Sequence, residues 1–294
     1  MTNTHSAMAL TVDVEDYFQV AAFDACIKPA DWASFPQRAS LNTRRLLDLF
    51  DQTGAKATFF ILGWIAEREP DLVKEIDARG HEVASHGYSH AKADTMTPDE
   101  FFQDVLKARQ LLEGIIGKPV TGYRAPSFSI GSQNEWAFQK LKEAGYTYSS
   151  STYPIVHDHY GTPDWPQQPY QRPEGIWEIP MPVLNRWGMQ LPIAGGGYFR
   201  LLPYWISRSF IRKFVVQSSS PYMFYFHPWE IDSAQPRIEQ APARSKFRHY
   251  VNLHRMESKI TCLLKDFTWK TMREVFQTDH IATSNASPPE RHYS

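Results

Sequence analysis

The chain has 294 residues and carries 31 lysines and arginines against 32 aspartates and glutamates, a formal net charge of −1 with neutral histidine. This balance argues against binding to nucleic acid or an anionic membrane through a basic surface. Hydrophobic residues make up 42% and charged residues 21%, which is typical of a chain that folds around a large core. At this length an α/β barrel is the usual single-domain fold.

Short β-rich runs alternate with amphipathic helical patterns in the first half of the chain, which indicates a parallel sheet or barrel. In chain order the pattern predicts a strand at Ala7–Val12, a helix at Asn42–Gln52, a strand at Lys56–Leu62, a helix from Pro70 to Gly80, a strand at His81–Ser85, a helix from Thr97 to Gly117, a strand at Val120–Tyr123, a helix at Asn134–Ala144 and a strand at Tyr146–Ser149.

The pattern loosens beyond Pro154, where a stretch rich in proline, aspartate and aromatic residues is typical of a long surface excursion. Periodicity then resumes and predicts ordered segments at Trp177–Met181, a helix at Tyr204–Val216, a strand at Tyr222–Phe226 and a long amphipathic helix at Arg244–Phe267. We interpret the chain as one domain of about seven strand–helix units.

Polar clusters follow several of these strands at their C-terminal ends. In parallel α/β folds, functional groups gather at that edge of the sheet. The clusters are Asp13-Val14-Glu15-Asp16 after the first strand, His86-Gly87-Tyr88-Ser89-His90 after the third, Arg124-Ala125-Pro126 after the fourth and His227-Pro228-Trp229-Glu230 after the late strand. We therefore expect one site on this edge.

The histidine spacing predicts a metal site. His86 and His90 are four residues apart, so on a helical turn both imidazoles would point the same way and bind one ion. A carboxylate from the first strand would be the third ligand. Two imidazoles and one carboxylate suit zinc or another late first-row divalent ion, such as cobalt or nickel, and leave positions for water and substrate.

Groups for acid–base catalysis stand on the same edge. A bound cation makes hydrolysis of an amide feasible at neutral pH, but attack needs a general base and the leaving amine needs a proton. Asp13 is the natural base and His227 the natural acid. Arg124 is placed to hold the Asp13 carboxylate by charge-assisted hydrogen bonds.

The motifs TVDVED, ATFF, GHEVASHGYSH, GYRAPS and FYFHPWE occur in this order between Leu10 and about Glu230. They resemble the polysaccharide deacetylase family with the NodB-type homology domain, carbohydrate esterase family 4. The resemblance is closest to the subgroup found with bacterial exopolysaccharide biosynthesis and exosortase loci, whose own C-terminal part is similar to residues 195–200 and 248–264.

The resemblance implies a distorted (β/α)7-type barrel over residues 1–278, with a subgroup extension from about residue 231 and a polar tail at 279–294. It also implies metal-dependent removal of acetyl groups from N-acetylated sugars. Carried over residue by residue, Asp13 matches the catalytic base, His86 and His90 the metal-binding histidines, Arg124 the residue that orients the base, and His227 the catalytic acid.

The acidic motif departs from the family pattern, which has two adjacent aspartates, a base and then a ligand. Asp13 and Glu15 face the same side of a strand, which favours Glu15 as the metal ligand. Asp16 would serve if the strand has already turned, and an alignment of Glu15-Asp16 with the family pair is also open. A second departure is Ser149, which stands where the family often has an aspartate followed by a tryptophan.

Four residues beside these motifs are expected to contact the substrate: Tyr88, Pro126, Tyr198 and Trp229. Aromatic rings stack on sugar faces, although core packing is the alternative for each aromatic residue. The partner that we predict is an N-acetylated oligo- or polysaccharide, with no nucleic acid and no membrane anchor. The sequence leaves the oligomeric state open.

The leading hypothesis is a metal-dependent N-deacetylase acting on N-acetylhexosamine units of a bacterial exopolysaccharide or its precursor. One alternative is hydrolysis of another C–N or ester bond, as in an O-acetyl sugar or a cyclic amide. The other is a catalytically inactive carbohydrate-binding barrel. Retention of Asp13, Arg124 and His227 together argues against an inactive barrel, since a binding module needs no base, orienting residue or acid.

The N-terminal sequence predicts a cytoplasmic location. Its apolar stretch has no basic segment before it and leads directly into carboxylates, so it resembles neither a signal peptide nor an anchor. No run of about 18 apolar residues occurs. Cys26 and Cys262 lie far apart without a CxxC motif, which argues against a disulfide framework or a cysteine-based zinc site.

Overall fold

Parallel strands form the centre of the molecule. The computed structural model describes residues 7–156, 161–186 and 188–278, so the predicted tail at 279–294 lies outside the described residues. The strands are β1 (Met8–Val14), β2 (Thr58–Ile61), β3 (Glu82–Ser85), β4 (Gly122–Tyr123), β5 (Tyr148–Ser149), β6 (Tyr170–Gln171), β7 (Trp177–Glu178), β8 (Val183–Arg186), β9 (Met189–Pro192), β10 (Met223–Phe226) and β11 (Trp269–Lys270).

Helices follow most of these strands. They are α1 (Ala39–Thr53), α2 (Gly63–Arg68), α3 (Pro70–Ala78), α4 (Pro98–Ile116), α5 (Trp136–Glu143), α6 (Gly196–Leu201), α7 (Tyr204–Gln217), α8 (Ala243–Tyr250), α9 (Leu253–Asp266) and α10 (Met272–Phe276). Short 3-10 turns lie at Ala21–Phe23, Pro29–Ser34, Ala93–Thr95, Pro126–Phe128 and Pro228–Ile231.

The main sheet has the strand order β10-β1-β2-β3-β4-β5-β7-β6, and β11 pairs beside β1. Along this order the strands from β10 through β1 to β7 run parallel, whereas the last strand, β6, is antiparallel to β7. In the described residues the two end strands β10 and β6 do not pair, so the sheet is a curled half-barrel. This confirms the predicted α/β fold of the distorted-barrel kind.

Strand β1 lies between β10 and β2, and all seven of its residues are buried. A strand covered on both faces reads as a nearly continuous apolar run, and MALTVDV has this character. The helices that cover the sheet end where the sequence indicates: Gly54 after α1 and Gly117 after α4 both take left-handed backbone angles. Thr97 and Glu100 form the predicted capping box of α4.

The predicted helix at Arg244–Phe267 is wrong in one respect, because it is broken into α8 and α9. Asn252 lies between them with a left-handed φ of 54°. The cause is a contact between distant segments. The buried guanidinium of Arg200 donates hydrogen bonds to the carbonyl oxygens of residues 248, 249 and 251. These carbonyls would otherwise accept bonds from the next helical turn.

None of the helices in the described ranges is long and apolar enough to cross a membrane.

Candidate active site

Side chains from several strand ends meet in one cavity of about 440 Å³. Asp13 belongs to β1 and Glu15 follows it, His86 and His90 follow β3, and His227 follows β10. All of these residues line the cavity. The C-terminal edge of the parallel sheet therefore brings the predicted metal ligands, base and acid together.

Glu15, His86 and His90 form a cluster in which one potential ligand atom of each lies within 4.8 Å of the others. Nε2 of His90 lies 2.6 Å from Oε2 of Glu15. Nδ1 of His86 lies 2.9 Å from the carbonyl oxygen of Arg124. Because a carbonyl only accepts hydrogen bonds, Nδ1 carries the proton and leaves Nε2 to bind an ion.

The electrostatics of the cluster favour metal-binding protonation states. Burial raises the pKa of Glu15, but the charges of His90 and His227 outweigh it and hold the pKa at about 2. Burial lowers the pKa of His86 to about 4. At neutral pH the cluster thus offers a carboxylate anion and a neutral imidazole, which are the forms that bind divalent ions.

The histidine pair does not lie on a helical turn, contrary to the expectation from its spacing. Residues 86–90 form a loop in which Gly87 and His90 take φ angles of 75° and 56°. Asp104 of α4 anchors this loop by accepting hydrogen bonds from the amides of residues 88 and 89. The loop places the His86 and His90 rings with their centroids 5.3 Å apart.

Asp16 lies outside the cluster. Its Oδ2 accepts hydrogen bonds from the backbone amides of Arg38 and Ala39, at 2.6 and 2.9 Å, where α1 begins. Because β1 continues to Val14, the side chains at positions 13 and 15 face the cavity and that at position 16 does not. The structure thus places Glu15 rather than Asp16 beside the histidines.

Arg124 holds Asp13 in a fully buried ion pair. Nη1 of Arg124 donates to Oδ1 of Asp13 at 2.7 Å and to the Thr11 hydroxyl at 2.8 Å. The other guanidinium nitrogens donate to the carbonyl and hydroxyl oxygens of Ser150, both at 3.1 Å. The Asp13 carboxylate is therefore fixed where it lines the cavity.

His227 is held between two carboxylates. Its Nδ1 lies 2.9 Å from Oε1 of Glu230, and its Nε2 lies 3.5 Å from Oε1 of Glu15. Burial lowers the pKa of His227, but Glu15 and Glu230 outweigh this effect and raise the pKa to about 9. The two carboxylates therefore favour the protonated imidazole, which is the form that can donate a proton.

Comparison with known families divides the chain in two. Residues 21–149 match the family model described as polysaccharide deacetylase. This segment is therefore similar to the polysaccharide deacetylase family, as its motifs indicate. Residues 150–277 match a domain of unknown function, DUF3473. The cavity draws on both segments, because His86 and His90 lie in the first and His227 in the second, whereas Asp13 and Glu15 precede the first.

Two curated relatives carry related activities. A peptidoglycan-N-acetylglucosamine deacetylase of Bacillus cereus is 35% identical over 104 residues, which cover 35% of this chain and 47% of the relative. A chitin deacetylase of Pestalotiopsis is 34% identical over 126 residues, which cover 42% of this chain and 41% of the relative. The chain thus spans less than half the length of these deacetylases.

A solved structure shares the fold over nearly the whole chain. It is a protein of Mycobacterium smegmatis provisionally named a polysaccharide deacetylase, with a TM-score of 0.59 and 19% identity. The alignment covers 98% of this chain and 94% of that one. The shared fold therefore extends through the segment that matches DUF3473.

The four expected substrate contacts do not all line this cavity. Trp229 lines it, but Tyr88, Pro126 and Tyr198 are not among the lining residues. The Tyr88 ring lies outside, beneath the ammonium group of Lys107 at 3.3 Å. Pro126 is buried at the start of a 3-10 turn that presents the following residues to the cavity, and Tyr198 points to solvent.

The Trp229 side chain packs against residues of the site and does not present a free face for stacking on a sugar. Its ring stacks on His227 with a centroid distance of 5.3 Å and on His249 with a centroid distance of 4.2 Å, and the residue is only 6% exposed. Its Nε1 donates to Oε1 of Glu15 at 3.2 Å. The side chain thereby positions the predicted metal ligand and the predicted acid.

Several residues of this cavity lie outside the sequence predictions. Arg200 and Glu230 are buried in its wall, and Arg244 and Arg248 of α8 also line it. Arg200 and Glu230 do lie within the motifs GGGYFR and HPWE, but neither motif indicates that the two side chains meet. That contact is tertiary.

Glu178 of the neighbouring strand supports the loop that follows Ser149. Oε1 of Glu178 in β7 accepts hydrogen bonds from the amides of Ser151 and Thr152, at 2.8 and 2.9 Å. Ser149 itself donates to the Ser151 hydroxyl. Glu178 therefore holds the loop whose Ser150 supports the buried arginine.

Proposed function

We propose that this chain is a metal-dependent N-deacetylase that hydrolyses the acetamide of N-acetylhexosamine units in a bacterial exopolysaccharide or its precursor. The observation that carries the proposal is the convergence of three elements in one cavity: a Glu15–His86–His90 donor set, a fixed carboxylate at Asp13 and an imidazole at His227 that lies between two carboxylates. The related chitin and peptidoglycan deacetylases support this choice of substrate class.

The donor set fits a divalent metal ion, with zinc preferred and cobalt or nickel as alternatives. Two imidazole nitrogens and one carboxylate oxygen are zinc ligands, and His86 is already oriented by its bond to a backbone carbonyl. When bound, such an ion polarises the acetamide carbonyl and promotes ionisation of water.

Asp13 serves as the general base and accepts a proton from the attacking water. Arg124 suits it to this role because the guanidinium fixes the carboxylate in the cavity wall. Thr11 and Ser150 hold the guanidinium in turn. The base therefore requires no rearrangement before it acts.

His227 serves as the general acid. As the C–N bond breaks, the leaving nitrogen needs a proton, because an amide anion is a very poor leaving group. Glu230 occupies Nδ1, so Nε2 is the nitrogen left to donate into the cavity. One water and one acetamide give acetate and a free amine.

The test is acetate release from a panel of N-acetylglucosamine oligomers, peptidoglycan fragments and N-acetylated exopolysaccharides. We expect release with zinc, cobalt or nickel that stops after chelation and returns when the metal is restored. O-acetyl sugars and cyclic amides in the same panel separate the ester and cyclic-amide hydrolases. Metal-loaded protein that releases no acetate from any N-acetyl substrate would contradict the proposal.

A further inference from the structure

We infer that Arg200 and Glu230, both in the segment that matches DUF3473, position His227 for proton donation, and that Gly196 keeps open the space that the Glu230 carboxylate occupies. The inference rests on the proposed function, because it takes His227 to be the acid. It gives part of a domain of unknown function a defined task in the site.

Glu230 contacts His227 at two points. One oxygen, Oε1, accepts a hydrogen bond from the backbone amide of His227 at 3.0 Å and lies 2.9 Å from its Nδ1. The Glu230 side chain is 1% exposed, so neither contact competes with bulk water. A histidine held through its backbone amide and its Nδ1 has little freedom to turn about its side-chain torsions.

Arg200 fixes the other oxygen of the same carboxylate. Its Nε lies 2.8 Å from Oε2 of Glu230, and both side chains are buried. Its terminal nitrogens donate to the backbone carbonyls of residues 248, 249 and 251, where α8 ends. A buried carboxylate needs a counter-charge, and here the counter-charge is itself anchored to backbone.

Gly196 lies one turn before Arg200 in α6 and faces Glu230. A Cβ at this position would overlap both carboxylate oxygens of Glu230. The φ angle of Gly196 is not in the left-handed region, so its backbone conformation does not require glycine. The glycine is needed for space, and alanine would force the carboxylate away from His227.

Substrates with different leaving groups separate this positioning role from the metal site and the base. An acetamide expels an amine that must be protonated, whereas p-nitrophenyl acetate expels a stable phenolate that needs no acid. Residues that serve only the acid should therefore matter for the amide and not for the ester. Damage to the metal site or the base would slow both reactions.

The experiment compares kcat and KM on an N-acetylglucosamine oligomer and on p-nitrophenyl acetate for Glu230→Gln, Arg200→Met and Gly196→Ala. General acids contribute at least about 100-fold, so we expect kcat on the amide to fall about 10- to 100-fold. KM and ester hydrolysis should change less than about threefold. His227→Ala sets the size of the full effect.

Gly114→Ala is the matched control, because Gly114 also lies in a helix and a Cβ there meets nothing within 4 Å. It should leave both reactions unchanged. Equal losses on amide and ester in folded variants would overturn the inference, as would an unchanged amide kcat in Gly196→Ala.

A crystal structure of Gly196→Ala makes the inference independent of turnover. We expect the Glu230 carboxylate to be displaced from Nδ1 of His227, and an undisplaced carboxylate would refute the positioning role. Wild-type protein that hydrolyses the ester but not the amide would refute the proposed function instead, so the two failures are distinguishable.

Discussion

Replacing Arg124 by methionine should destabilise the protein strongly. The Arg124 side chain is 0% exposed and its partner Asp13 3%, so the variant leaves an unpaired carboxylate in the core. It also removes the donor to both oxygens of Ser150. Removing one partner of a buried ion pair costs about 3–5 kcal/mol of unfolding free energy, which we expect for this variant.

The matched control is Arg45→Met. Arg45 and Glu257 approach to 2.8 Å, nearly the same distance, but their side chains are 39% and 49% exposed. An exposed pair contributes less than about 1 kcal/mol, so this variant should resemble wild type. Both variants are measured by urea unfolding of metal-free protein, followed by tryptophan fluorescence.

The double variant Arg124→Met/Asp13→Asn tests the cause. A neutral amide is less costly to bury than a carboxylate, so the second change should restore about 1–3 kcal/mol to the Arg124→Met protein. An Arg124→Met variant within about 1 kcal/mol of wild type would refute the reasoning. So would a double variant less stable than Arg124→Met alone.

Three further predictions concern stability. Zinc at 1000 times its Kd should stabilise the protein by about 4 kcal/mol. Thermal-shift measurements should show that this stabilisation is lost in Glu15→Gln and retained in Asp16→Asn. Loss of the stabilisation in Asp16→Asn would contradict our placement of that residue. Burial lowers the pKa of His81 to about 4, so the folded state binds fewer protons than the unfolded state and stability should fall as pH drops from 6.5 towards 4. In urea titrations, His81→Asn should flatten this decline. An unchanged slope of stability against pH in this variant would argue against the role of His81. Asn252→Val should lower the free energy of unfolding by about 1–2 kcal/mol in the same assay, because residue 252 has a left-handed φ. An Asn252→Gly variant destabilised as much as Asn252→Val would refute this explanation.

Much of the site could be predicted because it depends on local patterns. Buried strands are visible as apolar runs, and parallel strands place their C-terminal ends on one edge of the sheet. This was sufficient to group Asp13, His86, Arg124 and His227. The alternation along the first strand also favoured Glu15 over Asp16.

The remainder depends on contacts between distant segments. The loop geometry at His86–His90 rests on Asp104 from another helix, which the spacing of the histidines does not reveal. The break before Asn252 follows from the buried side chain of Arg200, some 50 residues earlier in the chain. The outward position of Tyr88 was missed for the same reason, since Lys107 covers its ring.

The most direct test of the proposed chemistry is amine formation on an N-acetylglucosamine oligomer, followed by NMR for wild type and Asp13→Asn with zinc content measured in parallel. We expect the wild type to produce free amine and acetate in equal amounts. Asp13→Asn should bind the same amount of zinc and produce neither. Asp13→Asn that turns over at the wild-type rate, or zinc-loaded wild type that forms no amine on any N-acetylated glycan, would contradict the account.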